Sequence, residues 1–207
     1  MLISVIVPTY KDLEALELIL EALKLQTYKN FEVIIAEDDN LEDVKEFLLN
    51  YDSDYMIKHF SHEDKGWRKA KALNGAIQLS DGDYLIFFDG DCLPYSTFVE
   101  AHVVLSEEKR VLCGRRVNTG DGLTGQLRSK EISVNQIENN FLSFWIKFKK
   151  DKARHIEQGL YFFPKTFFYR FMIKFLDKKK RLVGCNFSAF KDDILKINGF
   201  DESYSSG

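Results

Sequence analysis

The sequence predicts an α/β domain in which a mixed, mainly parallel sheet is flanked by helices. Three observations carry this reading. Short apolar runs alternate with stretches of helical periodicity, the pattern of a sheet whose strands are joined by crossover helices. Polar or acidic clusters directly follow three of the apolar runs, at Pro8-Thr9-Tyr10, Glu37-Asp38-Asp39-Asn40 and Asp89-Gly90-Asp91. With 207 residues, 45% of them hydrophobic, the chain is long enough for one such domain with a sizeable core and short for two.

Leu2 to Val7 is a continuous, partly β-branched run closed by Pro8, which predicts a strand buried on both faces. Leu13, Leu16, Leu20 and Leu23 then recur at helical spacing with acidic residues between them. Phe31 to Ala36 reads as the second strand, followed by a helix from about Leu41 to Leu49 and a short strand near Tyr55 to Phe60. Trp67 to Leu79, rich in Lys, Ala and Leu, predicts a helix, and Gly82 turns the chain into the strand Tyr84 to Phe88. Arg110 to Arg116 is expected to be a strand and Thr119 to Gly125 a loop. Two amphipathic helices are expected beyond, one with the stripe Ile137, Phe141, Phe144, Trp145 and Phe148, the other with Phe168, Phe171, Met172, Phe175 and Leu176.

The formal net charge of −3 gives no sign of a nucleic-acid partner, but it is unevenly spread. Residues 128–181 hold 14 Lys or Arg against 5 Asp or Glu, so this stretch carries +9 and the rest −12. From Phe141 to Arg181 it also contains 12 aromatic residues, a composition suited to solubilising a packed helical pair or to touching an anionic surface. Cys92, Cys113 and Cys185 form no Cys-x-x-Cys pair and no disulfide framework, which fits a reducing cytoplasm. The N-terminus lacks the basic start and cleavage site of a signal peptide, and no run approaches the ~20 apolar residues of a membrane span. His59, His62, His102 and His155 lack metal-ligand spacing, which argues against zinc.

Asp89-Gly90-Asp91 places two carboxylates two residues apart just past a strand, where open α/β sheets bind their ligands. Such hard oxygens suit Mg²⁺ or Mn²⁺ together with substrate phosphates, although Asp-Gly-Asp is equally ordinary turn chemistry. Strand one leads into Pro8-Thr9-Tyr10 and not into a Gly-x-Gly-x-x-Gly turn, which disfavours a nicotinamide enzyme. Asp38 and Asp39 read either as ligand-binding carboxylates or as caps of the following helix. Lys65, Arg68 and Lys71 stand at roughly helical spacing before the Asp-x-Asp strand, as one basic face turned to a diphosphate or as a solvated one.

Val5 to Tyr10, Glu37 to Asp39, Lys71 to Gly75 and Asp83 to Asp91, in that order, resemble the family 2 inverting glycosyltransferases of the GT-A, Rossmann-like nucleotide-diphospho-sugar transferase fold. The resemblance implies that Pro8, Thr9, Tyr10, Asp38 and Asp39 hold the nucleoside. It further implies that Asp89, Gly90 and Asp91 form the donor site, with Asp91 and Asp89 holding a divalent cation, Mn²⁺ or Mg²⁺. The family's usual Arg before Asn74 is Leu73 in this chain. Gly184-Cys185-Asn186 and Asn198 to Glu202 resemble the acceptor-side segment of galactosyltransferase-like and chondroitin-synthase-like members.

The expected organisation is one glycosyltransferase domain over 1–207. Residues 1–117 form the nucleotide-sugar half and 118–207 the acceptor-side half, which carries the basic aromatic helical insert. The implied partners are a nucleoside-diphosphate sugar, a UDP-sugar first, and a saccharide or lipid-linked saccharide acceptor, with no nucleic acid. The implied location is the cytoplasm, with a peripheral contact at the inner face of the membrane. In the family a Glu-Asp or Asp-Asp pair beyond Asn-Gly-Phe-Asp-Glu supplies the general base, which places it past Gly207 and makes the chain truncated at its C-terminus. Asp201 and Glu202 are the acidic residues nearest that position. The rival readings are a sugar-nucleotide-binding module without turnover, and a peripheral membrane protein acting through its basic helices.

Overall fold

The computed structural model describes residues 1–160, 164, 166, 167, 171 and 182–203. The first half follows the predicted alternation: β1 (Ile3–Thr9), α1 (Leu13–Lys24), β2 (Phe31–Glu37), α2 (Glu42–Asn50), β3 (Met56–Ser61), α3 (Lys69–Leu79) and β4 (Tyr84–Phe88). Next come α4 (Phe98–Leu105), the two-residue β5 (Leu112–Cys113), α5 (Asp121–Arg128), α6 (Val134–Asn139), α7 (Phe141–Lys150) and a 3-10 turn at Ile156–Gly159. The described part closes with β6 (Asn186–Phe190) and α8 (Lys191–Lys196).

The six strands lie in the order β3-β2-β1-β4-β6-β5. β3, β2, β1 and β4 are parallel, whereas β6 runs antiparallel to both β4 and β5, so the sheet is mixed as predicted. β1 sits between β2 and β4, and every residue of these three strands is buried. Strand alternation sends Ile3, Val5 and Val7 to one face, where they pack with Leu16, Ile19, Leu20 and Leu23 of α1 and with Val99 of α4. Ile6 points to the other face and meets Ala72, Leu73, Ala76 and Ile77 of α3 and Ile194 of α8. A third apolar cluster, Leu123, Ile137, Phe141, Phe144 and Phe148, unites α5, α6 and α7.

Three expectations are corrected. The segment expected to be a loop around Gly125 is helix α5, because the Asp151 carboxylate accepts hydrogen bonds from Gly122 N (2.9 Å) and Leu123 N (3.2 Å) and caps the helix from a distant part of the chain. The stripe expected on one helix is divided between α6 and α7, since Asn140 leaves helical geometry at φ −127°, ψ 30°. The strand expected over Arg110 to Arg116 pairs only at Leu112–Cys113. The stripe from Phe168 to Leu176 lies outside the described residues apart from Phe171.

The basic stretch meets the acidic α1 directly: Arg128 pairs with Asp12 (2.6 Å) and Glu14 (3.2 Å), and Lys130 with Glu17 (2.7 Å). Among the described residues no helix is long and apolar enough to cross a membrane.

Behind the sheet edge a buried polar chain joins α4, β4 and β6. The Asn186 side-chain oxygen, an acceptor only, lies 2.9 Å from His102 Nε2, so that nitrogen carries the proton. His102 Nδ1 then accepts from the Ser188 hydroxyl at 2.6 Å, and Ser188 Oγ accepts from the Tyr84 hydroxyl at 2.7 Å. Burial pushes the His102 pKa down to about 4, against the hydrogen bond it donates to Asn186, which raises it, so the ring is neutral when folded. The unfolded chain therefore takes up this proton first as the pH falls. The contribution of His102 to stability is complete above its ordinary value of 6.5 and is lost as the pH falls towards 4. We expect this group to cost about 3 kcal/mol of stability over that window. Urea unfolding at pH 7 and pH 4.5 checks it: His102→Gln should be less stable than the parent at pH 7 and lose less on acidification.

Candidate active site

The three polar clusters predicted from the strand ends lie side by side at the C-terminal edge of the sheet, because β2, β1 and β4 are neighbours and parallel. Two backbone contacts fix the strand-end turn. Asp89 N donates to Cys185 O (3.2 Å), and Cys92 N donates to Asp89 O (3.1 Å). Gly90 passes so close to the end of β1 that a Cβ there would run into the Pro8 carbonyl oxygen. Pro8 and Thr9 are buried in β1, while the Tyr10 ring emerges beyond it, 46% exposed.

Asp89 is held between two cations. Its Oδ1 lies 2.8 Å from Lys69 Nζ and its Oδ2 2.9 Å from Arg116 NH1. The same guanidinium nitrogen is 3.8 Å from Asp91 Oδ1 and 3.8 Å from Cys92 Sγ. The sequence reading missed both residues. Lys69 is the first residue of α3, next to the Arg68 that the sequence singled out, whereas Arg116 lies just past β5, at the end of the stretch expected to be a strand.

The Asp91 carboxylate is 72% exposed and open to a ligand. One ligand atom each from Asp89, Asp91 and Cys92 fall within 4.8 Å of one another, close enough to share one ion. Burial, and then the Asp91 carboxylate, push the Cys92 thiol up to about 12; sulfur is a soft donor, and the hard oxygen donors of the cluster are the two carboxylates. That donor set fits a hard divalent ion such as Mg²⁺ or Mn²⁺, which takes one or two carboxylates and completes its shell with phosphate and water.

At the end of β2, Glu37 is fully buried, with Oε2 2.6 Å from His59 Nε2 and Oε1 accepting from Leu41 N at 2.9 Å. Asp38 and Asp39 are buried as well. Asp38 Oδ2 accepts from Arg68 N (2.8 Å), and Asp38 Oδ1 lies 3.2 Å from His62 Nε2 without hydrogen-bond geometry. Burial, and then the neighbouring Glu37 carboxyl, push Asp39 up to about 7. The segment His62 to Arg68 is tied down over this strand end by Asp38, by His62 N donating to Asp39 O (3.3 Å), and by a Lys11–Asp64 pair (2.7 Å).

The predicted basic face is not formed as a helix face, because α3 begins at Lys69 and both Gly66 (φ +84°) and Arg68 (φ −135°) are non-helical. Lys65 pairs with Glu63 at 2.8 Å. The Arg68 guanidinium donates to the Glu63 carbonyl and lies 3.1 Å from His62 Nδ1. Lys71 is half-buried within α3, and the cation on Asp89 from this helix is Lys69.

Of the three residues expected to border the acceptor, Gly184 is exposed, Cys185 braces Asp89 through its carbonyl, and the Asn186 side chain points inward to His102. Asn74 of α3 holds the Asn198–Glu202 turn: its amide donates to Phe200 O (2.9 Å) and Glu202 Oε1 (2.8 Å), and its oxygen accepts from Phe200 N (2.9 Å). Asp201 Oδ1 accepts from Ser203 N at 2.9 Å. Glu202 and Asp201 are thus both engaged in holding the turn.

A mainly parallel sheet that ends in an Asp-x-Asp turn flanked by basic groups is the nucleotide-diphospho-sugar transferase, or GT-A, fold. The chain belongs to glycosyl transferase family 2, whose profile matches residues 4–191. An uncharacterized glycosyltransferase of Rickettsia conorii is 35% identical over 111 residues, which is 53% of this chain and 18% of that protein. The chain thus spans under a fifth of that relative's length. Among solved structures, Staphylococcus aureus TarS 1-349 in complex with UDP aligns over 100% of this chain and 52% of its own, with a TM-score of 0.59 and 18% identity. The mannosyltransferase PcManGT of Pyrobaculum calidifontis, in complex with GDP-Man and Mn²⁺, aligns over 97% of this chain and 47% of its own, with a TM-score of 0.58 and 17% identity.

Proposed function

We propose that this chain is the donor-binding domain of a metal-dependent glycosyltransferase that uses a nucleoside-diphosphate sugar, a UDP-sugar foremost, and transfers the sugar with inversion to a saccharide hydroxyl. The observation that carries the reading is the Asp89–Asp91 pair at the end of β4 with Lys69 and Arg116 beside it. Residues 1–117 would bind the donor, and the segment from Gly184 to Glu202 would border the acceptor.

A divalent ion held by Asp91 and Asp89 would supply charge neutralisation for the departing diphosphate. Lys69 and Arg116 add fixed positive charge on the same side, where leaving-group charge develops. Tyr10, exposed beyond β1, offers a ring to the nucleobase, and a carboxylate at the end of β2 can accept the N3–H of uracil. Because Asp38 is buried and bound by the Arg68 amide, its contact with the base requires the His62 to Arg68 segment to give way as the base enters. TarS in complex with UDP and PcManGT in complex with GDP-Man and Mn²⁺ share the fold and support the donor class.

A peripheral contact with an anionic membrane forms a second part of the proposal, favoured by α7. That helix exposes Leu142 (78%) and Ile146 (63%) beside Lys149 and Lys150. Sedimentation with vesicles of anionic lipid should carry the protein down, and Leu142→Glu with Ile146→Glu should leave it in the supernatant; recovery of both proteins in the supernatant contradicts this part.

Calorimetric titration of UDP, GDP and UDP-sugars, first with Mn²⁺ and then with chelator, tests the main reading. A UDP compound should bind with Mn²⁺ and lose that binding on chelation. Asp91→Ala should abolish the metal-dependent component, and Asp38→Ala should weaken binding by about tenfold through the base. Unchanged affinity in both variants would remove the site assignment.

A further inference from the structure

The Asp-x-Asp turn is neutralised by the chain itself. Lys69 Nζ and Arg116 NH1 take one oxygen each of Asp89, and the guanidinium also approaches Asp91. These are the carboxylates whose ligand atoms lie close enough to share one ion. Two like charges therefore stand in the field that a divalent ion must enter.

The balance differs for an ion arriving alone and an ion arriving on a diphosphate. A bare dication is repelled by the ammonium and the guanidinium, and it must also displace them from Asp89. A nucleoside diphosphate carries more negative charge than its ion carries positive, so the complex is attracted to the two cations and repelled only by the carboxylates. Its phosphate oxygens also offer Arg116 and Lys69 the charge-assisted acceptors they give up on Asp89. A guanidinium suits this exchange, since its planar fork fits carboxylate and phosphate alike.

Two features make the exchange accessible. The Arg116 side chain is 40% exposed, and ion pairs at such exposure are weak enough to be traded. The root of the segment is fixed nearby, with Gly114 N donating to Asn186 O at 2.9 Å, so the guanidinium can turn without moving the strand.

Resting on the proposed donor-site reading, we infer that Arg116, with Lys69, acts as a resident counter-ion of Asp89 and Asp91. It holds the place of the divalent ion until metal and nucleoside diphosphate arrive together, and then passes to the diphosphate. Metal and nucleotide binding are thereby strongly coupled. Arg116 is on this account a residue of the donor site that changes partner, not a permanent brace of Asp89.

The two roles predict different signs. Removing a brace loosens Asp89 and weakens every binding event, whereas removing a resident counter-ion favours the bare ion and disfavours the nucleotide complex. The test is titration of Mn²⁺ into the protein, followed by the electron paramagnetic resonance signal of free Mn²⁺, without nucleotide and with saturating UDP. Arg116→Gln should bind Mn²⁺ alone more tightly than the parent, on the order of threefold. With UDP present it should bind Mn²⁺ more weakly than the parent, on the order of tenfold. Lys69→Gln should shift in the same two directions, and Arg116→Lys should fall between parent and Gln variant, with circular dichroism verifying that each is folded. Weaker or unchanged binding of Mn²⁺ alone by Arg116→Gln and Lys69→Gln overturns the inference while leaving the donor site intact. A parent protein that binds Mn²⁺ equally well with and without UDP also overturns it. Failure of the parent to bind Mn²⁺–UDP at all removes the donor-site reading and this inference with it.

Discussion

Burial of β1 on both faces, between two parallel neighbours, is the constraint on which the rest of the molecule depends. Its register with β2 and β4 brings Thr9 opposite Glu37 and sets the ends of all three strands at one edge of the sheet. Once the apolar residues of β1 are divided between α1 on one side and α3 on the other, the polar residues after each strand have nowhere to go but that edge. The close passage of Gly90 beneath the Pro8 carbonyl then fixes the Asp-x-Asp turn against the end of β1. The sequence separates these residues by about eighty positions, and the sheet makes them neighbours.

Electrostatics at this edge follow a consistent pattern in which buried or clustered carboxylates are compensated locally. Glu37 is offset by His59, Asp38 by the Arg68 amide, and Asp89 by Lys69 and Arg116. Asp39, pressed against Glu37 inside the fold, meets the same cost by holding its proton up to about pH 7. Asp91 is the carboxylate most open to solvent in this group, which makes it the natural first contact for an incoming cation. The residues around Asn186 and Asn74 hold the fold: Asn186 completes the neutral chain through His102, and Asn74 anchors the turn carrying Asp201 and Glu202.

What could be read from the sequence was whatever depended on local pattern. The strands β1, β2 and β4 were legible because buried parallel strands are continuous apolar runs, and α1 because one leucine stripe faces the sheet. The strand-end clusters were legible for the same reason. Long-range chemistry was not. Helix α5 depends on a cap from Asp151, and the break at Asn140 divides a stripe that periodicity alone would continue. Lys69, not Lys65, Arg68 or Lys71, reaches Asp89 because α3 starts later than its composition implied, and spacing counted across Gly66 does not describe a helix face. Arg116 follows a strand only two residues long, so its contact with Asp89 carries no local signature. The burial of Asp38 and Asp39, and the bond from the Arg68 amide to Asp38, are likewise tertiary facts.

On the proposed reading, the edge built around β1 binds a metal–nucleoside diphosphate. Anomalous diffraction from crystals grown with Mn²⁺ and UDP addresses it most directly. An anomalous peak should then lie within coordination distance of Asp91, with the diphosphate beside Lys69 and Arg116 and the base near Tyr10. A peak at another acidic cluster, such as the one around Asp81 and Asp193 at the opposite end of β4, or nucleotide bound away from the Asp89–Asp91 turn, would contradict it.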